Sequence, residues 1–514
     1  MNDNEISRSR RCRHTGAVAL GALLLAGCAS MHGLAPTGVA HDASKLAATK
    51  SLSAVPVNTV WPASDWWKRY GDPQLDALMD EALRTSPTLE IAAARTRQAL
   101  AAAQVTDAGR FPRVDASASL THERFSERGL VPPPYAGSWQ TDGELAVTLS
   151  WELDIWGVHR EAYASAIGAE RAAEVDAEAA KLALATSIAE AYAEMQHAFA
   201  KRDVANKTLA DREAILKLTR DRQAAGLDSR VELKQAESAL PATREEIIAY
   251  DERIAHLRNA IAALLGEGPD RGLAIARPKA ALVPFALPSS LPADLVGRRP
   301  DVVAQRWRIE SASHAIDSAK GEFYPNVNLA AFVGLSGIGA GNILTLASRT
   351  AGVTPALSLP IFDAGRLRGN LAGRDADFDV AVAQYNRIVV DAVRDVVDEV
   401  AAWRGVEAER AEQRAALATA REAYELALLR YREGLGNYLQ VLSVEQPMLV
   451  QQGLEADLDA RELALSVRLV RALGGGFAPP PALALNCAAG TTGGDHHDGA
   501  AGCRGAGATK EGTR

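Results

Sequence analysis

The sequence predicts a mainly α chain with a membrane β-barrel, four strands per chain entering a barrel shared between copies, beside a long wall of upright helices. Three observations predict this: an internal duplication, two proline-free stretches of great length, and paired segments in which apolar residues alternate. Composition sets the frame. The 514 residues are 47% hydrophobic but only 5% aromatic, and alanine fills much of the apolar share, which suits long helices packed through small side chains. A net charge of −8 argues against nucleic acid as a main partner, since phosphate binding needs basic surface. Past residue 30 no apolar run approaches the roughly 18 residues of a membrane helix, so any crossing must use strands.

Residues 1–27 read as a lipoprotein signal. Arg8, Arg10, Arg11 and Arg13 form a basic start, and Thr15 to Ala26 is an apolar stretch too short to span. It ends in Leu25-Ala26-Gly27-Cys28, which resembles the lipobox of bacterial lipoproteins, where the cysteine becomes the acylated N-terminus. A plain secretory signal with a chance cysteine is the alternative. Ala29, rather than an aspartate, resembles signals passed on to the outer membrane. Removing the segment deletes four arginines and two acids, which takes the net charge from −8 to about −10. Residues 28–62 are then a linker after the anchor.

Residues 63–270 lie over residues 292–478 with their punctuation in step. Phe111-Pro112 falls on Tyr324-Pro325 at an offset of 213. Gly157 falls on Gly365, Gly226-Leu227 on Gly434-Leu435, and Leu265-Gly266 on Leu473-Gly474, all at an offset of 208. Residues 271–291, with Pro278, Pro284 and Pro288, link the halves. Each half should open with a helix, Pro73–Gly109 or Pro292–Gly321. Two strands follow, then a proline-free helix (Val158–Ala225 or Arg366–Glu433), a Gly-Leu turn and a helix ending at Leu265 or Leu473.

The strands are expected at about 113–123, 144–154, 326–335 and 354–362. Val114, Ala116, Ala118 and Leu120 alternate with Asp115, Ser117, Ser119 and Thr121. Leu145, Val147, Leu149, Trp151 and Leu153 alternate with Glu144, Thr148, Ser150, Glu152 and Asp154. Val327 to Leu335 and Leu357, Leu359 and Ile361 make the third and fourth apolar faces. Segments of about 10 residues match tilted outer-membrane strands, and Phe111, Trp139, Trp151, Trp156 and Tyr324 near their ends suit an interfacial girdle. Ser117, Ser119, Thr148, Ser150 and Glu152 would then line a lumen. Four strands cannot close a barrel and lipid tolerates no open edge, so several chains must contribute. The 68 residues of Val158–Ala225 would run about 102 Å as helix, against about 114 Å for the two shorter helices of that repeat laid end to end. In the second repeat the comparison is about 102 against about 104 Å, so stacked pairs can flank the long helices.

With these features in place, the chain resembles the TolC-like outer membrane efflux proteins, in the NodT-type, OprM-like lipoprotein branch. The resemblance rests on Trp66-Trp67 with Asp72-Pro73-Gln74-Leu75, on Ser150 through Gly157, and on Arg298-Arg299-Pro300-Asp301-Val302. It rests also on Leu357 through Gly365, on Tyr431-Arg432-Glu433-Gly434, and on Leu473 through Phe477. It implies a homotrimer with a 12-stranded barrel and a helical tunnel through the periplasm, embedded in outer membrane lipids. It also implies a periplasmic adaptor protein and an inner-membrane efflux pump as partners, with the channel a passive exit duct for drugs or other small molecules. The turns Gly226-Leu227-Asp228-Ser229 and Gly434-Leu435-Gly436-Asn437 would be the tips that touch adaptor and pump. Where relatives carry acidic residues after the second turn, Gly436, Gln440 and Ser443 stand here, leaving Asp228 and Glu433 as the nearby carboxylates.

Plainer readings accompany several motifs. Pro300 and Asp301 suit the first turn of a helix. Glu152 and Asp154 read as lumen lining rather than an acid/base pair. His496 and His497 beside Asp495 and Asp498 suggest weak metal binding, but the tail 479–514, with Cys487 and Cys503, reads better as a low-complexity segment. No HExxH, no GxSxG elbow and no phosphate loop after a strand occurs, so no enzyme, cofactor or metal centre is expected. The competing function is a structural or adhesive trimeric lipoprotein, which would more naturally show heptads and a single C-terminal group of strands.

Overall fold

The computed structural model describes residues 30–48, 50–52, 61–281, 297–339 and 341–478. Cys28, most of the linker between the repeats, and the tail with its cysteines and His496-His497 lie outside them. The first repeat runs α1 (Pro73–Thr85), α2 (Pro87–Ala108), β1 (Arg113–Arg124), β2 (Trp139–Leu153), α3 (Val158–Ala224), α4 (Arg230–Leu265) and the short α5 (Pro269–Leu273). The second runs α6 (Pro300–Gly321), β3 (Asn326–Ile338), β4 (Arg349–Ser358), α7 (Arg366–Arg432) and α8 (Tyr438–Ala472).

Three expectations need correction, the first being the second strand, which starts at Trp139 rather than at about 144. The single helix over Pro73–Gly109 is broken at Ser86, whose ψ of 124° is the extended conformation that a following proline imposes. The fourth strand is Arg349–Ser358 rather than 354–362. Pro360 has no N–H for a ladder, and Asp363 is committed to the start of α7, accepting from the backbone N–H of Gly365 at 3.0 Å and of Leu367 at 2.9 Å. Leu359 and Ile361 therefore lie in the turn after β4.

The long helices α3 and α7 each hold 67 residues, about 100 Å of rise. Beside α3, α4 meets the start of α2 at a joint where Thr85 Oγ1 donates to Leu265 O at 2.8 Å. Gly266 makes the joint by φ +82°, and a Cβ there would stand 2.8 Å from the Thr85 carbonyl oxygen. The same joint recurs in the second repeat, where Gly474 at φ +88° lies against the Arg298 carbonyl and α8 runs on into α6. The in-line pairs, 36 with 22 residues and 35 with 22, reach about 87 and about 86 Å. They fall short of the expected lengths because α1 leaves the line and α6 begins only at Pro300.

The largest core explains why α1 leaves. Its Leu75, Leu78 and Met79 join Trp66, Trp67 and Tyr70 against Ile188, Tyr192 and Met195 of α3 and Ile261 and Leu265 of α4, all buried. Burying each such side chain contributes about 1.5–3 kcal/mol. Asp72 fixes the entry: it accepts from Gln74 N–H at 3.0 Å, from the Tyr192 hydroxyl at 2.6 Å and from Lys279 N–H at 2.7 Å. That network accounts for the Trp-Trp and Asp-Pro-Gln-Leu signature.

At the end of the long helices the four strands form one antiparallel sheet in the order β1-β2-β3-β4. Its register sets apolar residues in rows, with Val114 beside Leu149, Ala331 and Val353 and the next row Ala116, Val147, Val333 and Ala351. No helix among the described residues is long and apolar enough to cross a membrane.

Candidate channel face and helix tips

The pleat divides the sheet into two chemically distinct faces. Val114, Leu145, Val147, Val333 and Val353 stand exposed on the apolar one. Ser117, Ser119, Thr148, Ser150 and Glu152 all fall on the other, since Ser119 pairs with Glu144, Asp115 with Thr148, and Glu152 with Asn328. Asp154, expected among them, lies past the end of β2 and caps α3, accepting from His159 N–H at 3.1 Å and Arg160 N–H at 2.8 Å. Capping satisfies N–H groups that a helix start leaves unpaired. Glu152 is tied to the rim by Asn326, whose amide donates to it, and His159 Nε2 lies 3.3 Å away.

Aromatic residues mark both ends of the sheet. Trp156 stacks on Tyr324 with centroids 4.7 Å apart, and its Nε1 donates to Pro325 O at 2.8 Å. Trp151 donates to Arg110 O at 3.2 Å. At the opposite end Trp139 stacks on His122 at 5.5 Å. Amphipathic rings with one satisfied polar atom are the residues that settle at membrane interfaces.

The far ends of the helices form two tips of common design. Gly226 and Gly434 sit at φ +75° and +77°. Leu227 N–H donates to Arg222 O at 2.9 Å and Leu435 N–H to Arg430 O at 2.8 Å, the bonding of a glycine-terminated helix. Ser229 starts α4 in a reciprocal capping box with Glu232, and Asn437 caps α8 by accepting from Gln440 N–H at 3.0 Å. At the two turns Leu227 and Leu435 stand 66% and 71% exposed.

Asp228 behaves differently from its neighbours. Its carboxylate turns inward and pairs with Arg222 at 3.0 Å, the two side chains being 5% and 11% exposed. It also accepts from the Tyr431 hydroxyl at 2.6 Å, and Arg222 donates to Tyr431 O at 3.0 Å and lies over its ring at 4.6 Å. The Asp228 bond holds the Arg222 guanidinium above its usual range, and burial, then Asp228, pushes the Tyr431 hydroxyl up to about 12. This carboxylate thus binds one tip to the other and is not free for a mouth or a partner; Glu433 remains exposed. The second tip has no counterpart, because Gly436 stands at the place of Asp228. Sequence reasoning missed Arg222 and Thr219, which bonds the Tyr431 hydroxyl at 2.9 Å; the one signal was Tyr431 in the signature before Gly434.

A family model described as outer membrane efflux protein matches residues 78–267 and again 291–475, one match to each repeat. The chain belongs to the outer membrane efflux protein family. Among curated relatives, the fusaric acid resistance protein FusA of Burkholderia cepacia is 39% identical over 366 residues, covering 70% of this chain and 69% of FusA. The multidrug resistance outer membrane protein MdtP of Escherichia coli K12 is 31% identical over 491 residues, 94% of this chain and 99% of MdtP. The crystal structure of the outer membrane protein VceC of Vibrio cholerae superposes with a TM-score of 0.76 at 35% identity, covering 81% of this chain and all (100%) of VceC. The outer-membrane channel OprN gives 0.77 at 26% identity over 86% of this chain. This efflux protein therefore has the TolC-like fold and an outer membrane location, its sheet in the bilayer and its helices in the periplasm.

Proposed function

We propose that this efflux protein is the outer membrane duct of a tripartite system, a passive exit for drugs or other small molecules driven by an inner-membrane pump through a periplasmic adaptor. The observation that carries the reading is the joining of a one-sided apolar sheet to two helices each about 100 Å long. Such a chain spans the bilayer and reaches far below it. Closure of the sheet needs partners for β1 and β4, and three copies supply the 12 strands that the family resemblance implies. The polar face with Ser117, Ser119, Thr148, Ser150 and Glu152 then lines the lumen, and the apolar face meets lipid. Gly226 to Ser229 and Gly434 to Asn437 form the periplasmic end, where Leu227 and Leu435 offer apolar contact to adaptor and pump. Conductance in planar bilayers tests the reading. Purified trimer should carry a steady water-filled current, and folded trimer without current would overturn it.

A further inference from the structure

We infer that the exposed apolar corner between β4 and α7, formed by Leu359, Ile361 and Phe362, is the seat of the chain's own Cys28 acyl groups. The inference rests on reading Cys28 as the lipid anchor. Its evidence is a strap, residues 30–41, laid along α7. Arg368 donates to the carbonyls of Ser30 and His32. Asp379 accepts from Thr37 N–H at 2.8 Å, Gly38 N–H at 2.7 Å and the Thr37 hydroxyl at 2.7 Å. Asn386 takes both polar groups of an extended backbone, accepting from His41 N–H at 2.6 Å and donating to Val39 O at 2.9 Å. Met31 and Leu34 pack on the buried cluster of Ile316, Phe323, Leu367 and Leu371.

The clasps grip mainly backbone, so they fix the strap's position rather than its sequence. From Arg368 to Asn386 the helix rises about 27 Å, and the strap covers this from Ser30 to His41 at about 2.5 Å per residue, shortened from full extension by the turn in which Leu34 N–H donates to Met31 O. Gly38 shows how tight the seat is, since a Cβ there would stand 3.0 Å from the Asp379 carboxylate and 3.1 Å from Val382 Cβ.

Ala29 alone separates Ser30 from Cys28, a reach of about 7 Å at most. Ser30 is held by Arg368 in the first turn of α7, ten residues after the end of β4. Acyl chains leaving Cys28 must therefore enter the bilayer at the sheet's periplasmic rim. The apolar surface met there is the turn that leads into α7. Leu359, Ile361 and Phe362 are 48%, 55% and 76% exposed within the chain, and burying them under hydrocarbon is favourable.

The test places the photo-cross-linker benzoylphenylalanine at position 362 of the full chain in cells fed alkyne-tagged palmitate. The expected product joins the position-362 peptide to the tagged Cys28 peptide or its acyl chain. The same probe in place of Trp139, at the opposite rim, should give none. Asp379→Ala and, separately, Asn386→Ala should lose the product while the tag is kept. Tagged protein whose position 362 links only to phospholipid or to a second copy would overturn the inference. Absence of the tag from the wild-type chain would overturn the anchor reading itself, with conductance untouched by that result.

Discussion

At the scale of single residues, polar groups between helices decide how the two repeats hold together. Asp228 belongs to the first tip, yet its strongest bonds hold Arg222 and Tyr431, so it couples the end of α3 to the end of α7. Asp228→Asn keeps the shape but leaves Arg222 poorly exposed without its carboxylate, which is costly for a charge. Amide hydrogen exchange should then quicken at both tips, around residues 219–232 and 428–440. Ser229→Ala should cost about 1 kcal/mol through the lost cap and quicken only the first tip. Unchanged exchange at the second tip in Asp228→Asn would show the tips to be independent. His314 offers a second case. Its ring stands 2.7 Å from Glu161 of α3 and 3.5 Å from Glu310, which with Glu161 raises its pKa from 6.5 to about 9 against the effect of burial. A raised histidine stabilises the fold fully below its unfolded pKa and loses that contribution as pH climbs through the folded one. Detergent-solubilised protein should therefore lose thermal stability between about pH 7 and 10 by more than a His314→Gln variant does, and parallel curves would remove His314 from the account.

At the scale of elements, the sheet's register is the quantity that matters. A shift of one residue would send every apolar side chain to the polar face. The observed pairing instead gathers Val114, Leu149, Ala331 and Val353 in one row. Leu149→Arg puts a charge on that face and should cost about 2–4 kcal/mol near the bilayer midplane. Ser119→Arg faces the other way, opposite Glu144, and should cost little. The amount of each variant in outer membranes measures this. Equal losses for both would mean that the face assignment is wrong. The helices show element-scale economy of another kind, because one glycine joint, used twice, lets two shorter helices run beside each long one.

At the scale of the whole molecule, the apolar sheet and the apolar tips are about 100 Å of helix apart, so each can be altered without the other. Leu435 is 71% exposed and outside the buried clusters. Leu435→Arg should leave folding and trimer yield nearly unchanged but block assembly with an adaptor, by desolvating a charge and by steric clash. Drug susceptibility in cells, read beside adaptor cross-linking and trimer amount, checks this. Normal resistance with normal cross-linking would remove Leu435 from the docking surface, and lost trimer would make it structural.

Patterns local in the chain were determined by the sequence alone. Period-two alternation marked the sheet's two faces and glycine before leucine marked both tips, because each reflects backbone geometry within a few residues, while the duplication showed itself as local signals recurring at a fixed offset of 208. What depends on residues far apart was decided by the tertiary structure. The break at Ser86 follows from Pro87, yet only the core around Trp66 and Tyr192 shows why α1 turns aside. Leu359 and Ile361 continue the alternation that ends at Leu357, but Pro360 and the capping by Asp363 take them out of the ladder. Asp228 reads as an exposed tip residue until Tyr431, 203 positions away, is brought against it. The strap's clasps on Asp379 and Asn386 lie 341 to 347 positions from their partners and use backbone atoms common to nearly every residue, so no side-chain pattern could announce them.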